Sequence, residues 1–130
     1  MTAPVEIRQG DIYWVDIPPS HTVGSEQYNR RPYIIVSRTL VNRRSRTVVA
    51  VPLTTTGTDD LASHPPYRIV IPATEMTRDP SYAGTIQDSV AKSDQVRVLD
   101  KTRLGPKIGA LSTTASVAVG LGLAFLFDLR

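Results

Sequence analysis

Short apolar segments separated by turn residues fill the first two thirds of the chain and predict β-strands. Residues 12–17 are rich in β-branched and aromatic side chains and stop at Pro18 and Pro19, which is typical of a strand. Residues 33–37 are almost all apolar, as in a strand buried on both faces. A polar loop over residues 20–31 separates these two strands. Further strands are predicted at residues 47–53 and 67–71, and one or two more near Val90 and residues 96–99.

The pattern changes near residue 112 and predicts a C-terminal helix. Ser112 is a suitable N-cap for a helix over residues 113–127, although Gly120 and Gly122 lower the helical propensity. Several short strands followed by one helix favour a mainly β, α+β fold. We therefore expect an SH3-like small β-barrel with a C-terminal helix, folded as a single domain over residues 1–130.

The composition is that of a globular protein without cysteine chemistry. Of the 130 residues, 41% are hydrophobic and 21% are charged, which is close to globular averages. No cysteine is present, so disulfides, thiolate catalysis and cysteine zinc sites are excluded. Residues 117–127 are too short an apolar stretch to span a bilayer, and residues 1–10 do not resemble a signal peptide. We expect a cytoplasmic protein with no membrane partner.

The positive charge is concentrated in one segment. The 15 basic and 12 acidic residues give the chain a net charge of +3. Residues 27–58 contain no lysine or acidic residue but hold Arg30, Arg31, Arg38, Arg43, Arg44 and Arg46. Arginine presents a planar fork of donors that suits phosphate, so this window predicts an anionic partner. The alternative is that these charges only solvate the tip of a hairpin.

Two polar residues come together if residues 33–38 and 47–53 are the arms of one antiparallel hairpin with its loop at residues 39–46. Opposed residues then have numbers that sum to about 85, which places Arg31 opposite Thr54, with Cβ atoms roughly 4.5–5.5 Å apart. A guanidinium and a hydroxyl at one spot can stabilise the charge that develops when an RNA 2′-hydroxyl attacks the adjacent phosphorus. The general base and general acid stay open, since the pKa of arginine is far above neutrality.

Five short motifs, in order along the chain, carry a family resemblance. They are residues 10–16 (GDIYWVD), residues 24–27 (GSEQ), Arg31-Pro32 before an apolar strand, residues 51–55 (VPLTT) and a block within residues 88–104. On these motifs the sequence resembles the MazF/PemK family of toxin–antitoxin ribonucleases over nearly its whole length. The resemblance implies a CcdB/MazF-like barrel, a homodimer and inhibition by a cognate antitoxin. It also implies cleavage of single-stranded RNA, with no metal or other cofactor, to 2′,3′-cyclic phosphate and 5′-hydroxyl ends.

The resemblance assigns roles to individual residues as well. Arg31 matches the family's catalytic arginine and Thr54 its catalytic threonine, with Thr55 a near alternative. Glu26 is expected either to act as a base or to orient Arg31. Tyr28 is expected to stack on an unpaired base, as RNA-binding aromatic residues do. The predicted RNA-binding residues are Ser25, Gln27, Tyr28, Arg30, Thr55, Gln95 and Arg97.

The sequence leaves three alternatives open for the function and its residues. His21 lies in a stretch that is longer than in compact family members, and an auxiliary role in catalysis is possible for it. Related CcdB-like toxins share the fold but poison gyrase through the terminal helix; here residues 124–127 are apolar and are expected to pack on the barrel or on a second copy. The third alternative is a member that binds RNA or antitoxin without cutting.

Overall fold

The computed structural model describes residues 6–25, 29–55 and 65–129. Within these ranges the chain forms eight strands and two α-helices. The strands are β1 (Asp11–Ile17), β2 (Asn29–Ile35), β3 (Thr47–Thr55), β4 (Arg68–Ile71), β5 (Met76–Arg78), β6 (Ser89–Lys92), β7 (Arg97–Asp100) and β8 (Leu104–Leu111). The helices are α1 (Thr39–Arg44) and α2 (Thr113–Leu126).

All strands pair antiparallel in one curled sheet, in the order β4-β6-β3-β2-β1-β8-β5, with β7 also paired to β3. The nine-residue strand β3 organises the sheet because it changes partner along its length. One edge of β3 pairs with β7 through residues 47–50 and with β6 through residues 53–55, while the other edge pairs with β2. This half-barrel with a C-terminal helix confirms the predicted class, a mainly β small barrel.

Successive side chains of a strand point to opposite faces of the sheet, so the apolar side chains form two clusters, one on each face. The tyrosine cluster is centred on β1, β2 and the first half of β3, and the helix cluster lies between the sheet and α2. The buried members of the tyrosine cluster are Tyr13, Val15, Ile17, Tyr33, Ile35, Val48, Ala50 and Leu99. Those of the helix cluster are Ile12, Ile34, Val51, Leu53, Ile71, Ala91, Ile108, Ala115 and Val119.

The hairpin register predicted from the sequence is confirmed. Tyr33 pairs with Pro52 and Ile35 with Ala50, so opposed residues do have numbers that sum to 85. The prediction of a loop over residues 20–31 is wrong at its end, because β2 already begins at Asn29 and its polar first half pairs with β1. The turn of the hairpin is also more ordered than predicted. It contains α1, whose buried Asn42 donates hydrogen bonds to the carbonyl groups of residues 7 and 37.

The strand β8 is absent from the sequence prediction, although it lies between β1 and β5. Its sequence contains Gly105, Pro106 and Gly109, which are normally signals for a turn. Register shifts between β1 and β8 accommodate the irregular backbone. A Cβ atom on Gly109 would lie 2.1 Å from the carbonyl oxygen of Thr77, so this glycine allows β5 to approach. The short strand β5 is also absent from the sequence prediction.

The predicted C-terminal helix is confirmed and ends one residue earlier than expected. The Ser112 hydroxyl accepts a hydrogen bond from the Ala115 amide and caps its first turn. One side of α2 packs on the sheet, where Gly122 lets the helix come close to Ile69. The described part of the chain contains no helix that is both long enough and apolar enough to cross a membrane.

Candidate active site

The registers of β2, β3 and β6 gather polar side chains on one face of the sheet. Extending the β2–β3 register by two residues places Arg31 opposite Thr54, on the same face as Tyr33. Extending the β3–β6 register by one residue places Lys92 opposite Pro52 on that face as well. Paired residues share a face of the sheet. We call this surface the basic face; its polar members are Arg31, Tyr33, Thr54, Arg68, Lys92 and Arg97.

Lys92 is half-buried and lies among charged groups of both signs. Its pKa is lowered, first by burial and then by the charges of Arg68 and Arg31, while Asp94 acts in the opposite direction. By the strand registers, Lys92 shares the basic face with Arg31. A lysine with a lowered pKa releases its proton more readily than a free lysine. The sequence does not single out Lys92, because only the pairing of β6 with β3 places it on the same face as Arg31.

A paired arginine and aspartate border the lysine. Arg68 lies opposite Lys92 across β4 and β6. Its guanidinium binds Asp94 through two hydrogen bonds, with Nε–Oδ1 and Nη2–Oδ2 distances of 3.1 and 2.9 Å. These bonds hold the pKa of the Asp94 carboxyl below its usual range, so the group stays ionised. This pair too was missed, since its two residues are 26 positions apart in sequence.

A polar groove of about 460 Å³ opens beside Asp94. It brings together three of the predicted RNA-binding residues, Ser25, Gln95 and Arg97. Arg97 pairs with Ala50 across β7 and β3 and therefore shares the face of Tyr33. The groove thus joins the basic face, and Ser25, from the segment between β1 and β2, forms part of its wall. The other lining residues are Val23, Asp94, Val96 and Val98.

Two predicted RNA-binding residues lie on the opposite face. Arg30 alternates with Arg31 along β2, and its guanidinium carbon lies 4.6 Å from the centroid of the Trp14 ring. Thr55 alternates with Thr54 along β3 and lines a different, mostly apolar pocket that also contains Trp14. Both residues are therefore separated from Arg31 and Thr54 by the sheet. Their roles in RNA binding stay predictions.

Of the remaining candidate residues, His21 lies within the described part of the chain and three lie outside it. Glu26, Gln27 and Tyr28 lie outside the described residues. His21 is exposed, and its Nδ1 atom lies 3.1 Å from Nη2 of Arg103. Within residues 6–25, 29–55 and 65–129, no three histidine, cysteine or acidic side chains are grouped as metal ligands. The expectation of a metal-free reaction stays a prediction.

The arginine window divides into two groups that lie at opposite ends of the hairpin. Arg30 and Arg31 are at the start of β2, whereas four arginines surround α1 about 20 Å farther along the strand direction. Arg43, one of the four, is ion-paired with Glu6. The charge excess therefore does not form a single patch, and only Arg31 belongs to the basic face. The four arginines near α1 are Arg38, Arg43, Arg44 and Arg46.

The fold and the basic face together define a small β-barrel protein with basic side chains gathered on one face of its sheet. The model of the family of PemK-like, MazF-like toxins of type II toxin–antitoxin systems matches residues 8–127. The chain therefore belongs to this family, as the sequence motifs predicted.

Two relatives with established names are similar over most of their lengths. Endoribonuclease EndoA of Bacillus subtilis (strain 168) is 32% identical over 102 residues, which is 78% of each chain. Endoribonuclease MazF of Staphylococcus epidermidis is 33% identical over 125 residues, covering 95% of this chain and 93% of that one.

Solved structures share the same architecture. An endoribonuclease from a mycobacterial species, solved in complex with its cognate antitoxin, superimposes with a TM-score of 0.67 and 26% identity, covering 98% of both chains. MazF from Deinococcus radiodurans superimposes with a TM-score of 0.71 and 21% identity, covering 96% of this chain and 99% of that one. The second likeness supports the fold alone.

Proposed function

We propose that the protein is the toxin of a type II toxin–antitoxin pair and that it cleaves single-stranded RNA, including mRNA, at short sequences without a metal ion. One observation carries this proposal: Arg31, Thr54 and Lys92 share a face of the sheet beside the groove of Ser25, Gln95 and Arg97. Positive charges on a groove attract the phosphate backbone of RNA. With mRNA as the substrate, the activity belongs in the cytoplasm.

The reaction is an attack of the RNA 2′-hydroxyl oxygen on the adjacent phosphorus. The bond to the 5′ oxygen of the next nucleotide breaks, which leaves a 2′,3′-cyclic phosphate and a 5′-hydroxyl. Negative charge accumulates on the phosphate oxygens during this step. Arg31 and Thr54 donate hydrogen bonds to those oxygens and stabilise the charge where it develops.

Two proton transfers complete the reaction. Lys92 is the candidate general acid: it shares the basic face with Arg31, and its lowered pKa favours proton transfer to the departing 5′ oxygen. Glu26 stays in the proposal in the two roles predicted for it, as the base for the 2′-hydroxyl or as the group that orients Arg31. Asp94 is a poorer base because Arg68 holds both of its oxygens.

The partners in this proposal are a second copy of the chain and a cognate antitoxin. The exposed side of α2 carries Val117, Leu121 and Phe125, four residues apart, with exposed fractions of 57%, 66% and 58%. An apolar cavity of about 330 Å³ that Val117 lines lies beside them. A large exposed apolar stripe is typical of an interface, and we assign it to a homodimer. The antitoxin is proposed because the mycobacterial relative was solved with its own.

The direct test is incubation of the purified protein with a long unstructured RNA in EDTA, followed by mapping of the new 5′ ends. The proposal predicts discrete cuts that leave 5′-hydroxyl groups, with the same sequence at each cut. If several RNAs remain intact although the protein is folded and dimeric, the proposal is wrong, and an assay of gyrase supercoiling becomes the next experiment.

A further inference from the structure

The mostly apolar pocket that contains Trp14 lies on the opposite face of the sheet from the basic face. Trp14 pairs with Pro32, which alternates with Arg31 along β2. The pocket has a volume of about 140 Å³, well below the roughly 300–1,000 Å³ of a site for a whole small molecule. It therefore has room for a single ring system. We call it the Trp14 pocket.

The Trp14 pocket has an aromatic and aliphatic wall and a polar mouth. The rings of Trp14 and Tyr82 are partly buried and contribute to the wall. Thr55, Thr85 and Gln87 also line the pocket but are exposed, so they mark where it opens to solvent. None of its described lining residues is charged. The pocket is therefore suited to a neutral ring with a polar edge.

Strand pairing positions the polar groups of the mouth. Thr55 pairs with Ser89 where β3 ends and β6 begins. The Ser89 hydroxyl donates a hydrogen bond of 2.8 Å to the backbone carbonyl of Gln87, which fixes this residue beside the two strands. Threonine hydroxyls and a glutamine amide present both donors and acceptors. Such a set matches the edge of a nucleobase, where donors and acceptors are mixed.

Cleavage at short sequences requires groups that read bases. Contacts with phosphate position a nucleic acid but carry no sequence information, and the cations of the basic face make contacts of that kind. Thr55 directly follows Thr54 in β3, so the mouth of the Trp14 pocket begins one residue from the threonine assigned to the reacting phosphate. A nucleotide next to the cleaved bond can therefore reach the pocket around the end of β3.

We propose that the Trp14 pocket binds one unpaired base of the RNA substrate, next to the cleaved bond, and sets the sequence preference at that position. The base stacks on the aromatic wall, as bases do in sites for single-stranded RNA. Gln87 and Thr55 form hydrogen bonds with its edge. This inference rests on the proposed function, and it gives Thr55 a role in RNA binding on its own side of the sheet.

Trp14 is the only tryptophan of the chain, so its fluorescence reports on the pocket directly. The wild type is titrated with four short 2′-O-methyl homopolymers, one for each base, in which the attacking hydroxyl is blocked. We expect a saturable change in fluorescence with the preferred base. Thr85→Phe fills the mouth and is expected to weaken this binding by about tenfold. Thr77→Phe, at an exposed position that does not line the pocket, is the control and keeps the wild-type affinity.

Mapping of the cut sites separates the reading of a base from RNA binding in general. Gln87→Leu removes the amide from the mouth without adding bulk. It is expected to relax the base preference at one position next to the cut and to keep the rest of the recognised sequence. The substituted side chains are all exposed, so we expect the Tm to stay close to that of the wild type. If Thr85→Phe has a lower Tm, Gln87→Leu decides the question.

Two results overturn the proposal. One is a Trp14 fluorescence that responds to none of the homopolymers; if it responds to N-acetylphenylalaninamide instead, the pocket takes an aromatic side chain of a protein partner. The other is RNA cleavage with the wild-type cut sequence in both pocket variants, which leaves the proposed function intact. If the wild type cuts no RNA but one homopolymer changes the fluorescence and Thr85→Phe weakens its binding, the proposed function is wrong and the base pocket stands.

Discussion

Two adjacent arginines show how a single position along a strand decides which face of the sheet a side chain occupies. Arg31 lies on the basic face with Thr54, whereas the guanidinium of Arg30 stacks on Trp14 on the other side of the sheet. Alternation of side chains along β2 is the physical cause. The same alternation separates Thr54 from Thr55 on β3. Sequence motifs alone treat such neighbours as near equivalents, and only the register distinguishes them.

At the residue scale, Lys92 provides a prediction of pH dependence. If protonated Lys92 is the general acid, kcat falls as the pH rises through its lowered pKa, which lies below the ordinary value of 10.5. Lys92→Met is expected to lower kcat by roughly 100-fold and to remove this falling limb from the pH–rate profile. The measurement is the single-turnover cleavage rate as a function of pH for both proteins.

The lysine also has an effect on stability, with a defined sign. Between the lowered pKa and 10.5, the unfolded chain binds a proton that the folded chain has released, so the free energy of unfolding rises with pH in that window. Lys92→Met removes this contribution. A falling limb in the rate profile that persists unchanged in Lys92→Met contradicts the role of Lys92 as the acid.

At the scale of elements, the strands with apolar or β-branched segments could be predicted, including those near Val90 and residues 96–99 that form β6 and β7, whereas β5 and β8 could not. The apolar cores of β1 to β4 and the capped helix α2 have local signals, and the symmetry of the β2–β3 hairpin fixed its register. Strand β8 has glycine and proline where a strand normally has β-branched residues, and its stability comes from two neighbouring strands. The meeting of Arg68, Lys92 and Asp94 depends on sheet order, which no local pattern encodes.

The close approach of β5 and β8 can be tested at Gly109. A Cβ atom there would lie 2.1 Å from a backbone oxygen, which cannot move like the end of a flexible side chain. Gly109→Ala is expected to lower the free energy of unfolding by about 2–3 kcal/mol. Urea denaturation is the measurement. A loss below about 0.5 kcal/mol would show that the two strands are not held this closely.

The matched control is Gly120→Ala in α2. A Cβ atom at this position meets nothing within 4 Å, and alanine has the higher helical propensity. This substitution is expected to leave the stability unchanged or to raise it by about 0.5–1 kcal/mol. If only Gly109→Ala lowers the free energy of unfolding, the loss comes from the steric clash at that position and not from the replacement of a glycine as such.

At the scale of the whole molecule, one side of α2 anchors the helix and the other side is available for association. The stripe of Val117, Leu121 and Phe125 is apolar and exposed in a single chain. Covering it with the same stripe of a second copy would produce a symmetric dimer. The basic face is built from β2, β3, β4, β6 and β7, so dimerisation through α2 leaves the substrate groove of each copy accessible.

Leu121→Lys tests this assembly, because a charge in the middle of an apolar interface is costly to desolvate. We expect the variant to have the mass of a monomer in light scattering at micromolar concentration, while the wild type has the mass of a dimer. Thr74→Lys, at an exposed position outside α2, is the control and is expected to remain dimeric. A wild-type protein that is monomeric under these conditions, or a dimeric Leu121→Lys, contradicts the assignment.

The central claim is that Arg31 and Thr54 act together on one phosphate. A double-mutant cycle measures this most directly: single-turnover RNA cleavage in EDTA by the wild type, Arg31→Ala, Thr54→Ala and the double variant, with Arg30→Ala as the control. We expect each single variant of the pair to lose at least about 100-fold in rate and the double variant to be only slightly slower than Arg31→Ala, since the two groups serve the same step. Arg30→Ala is expected to keep most of the single-turnover rate at saturating RNA, because its guanidinium stacks on Trp14 on the other face of the sheet. Full activity in Arg31→Ala, or losses that simply multiply in the double variant, would contradict the account.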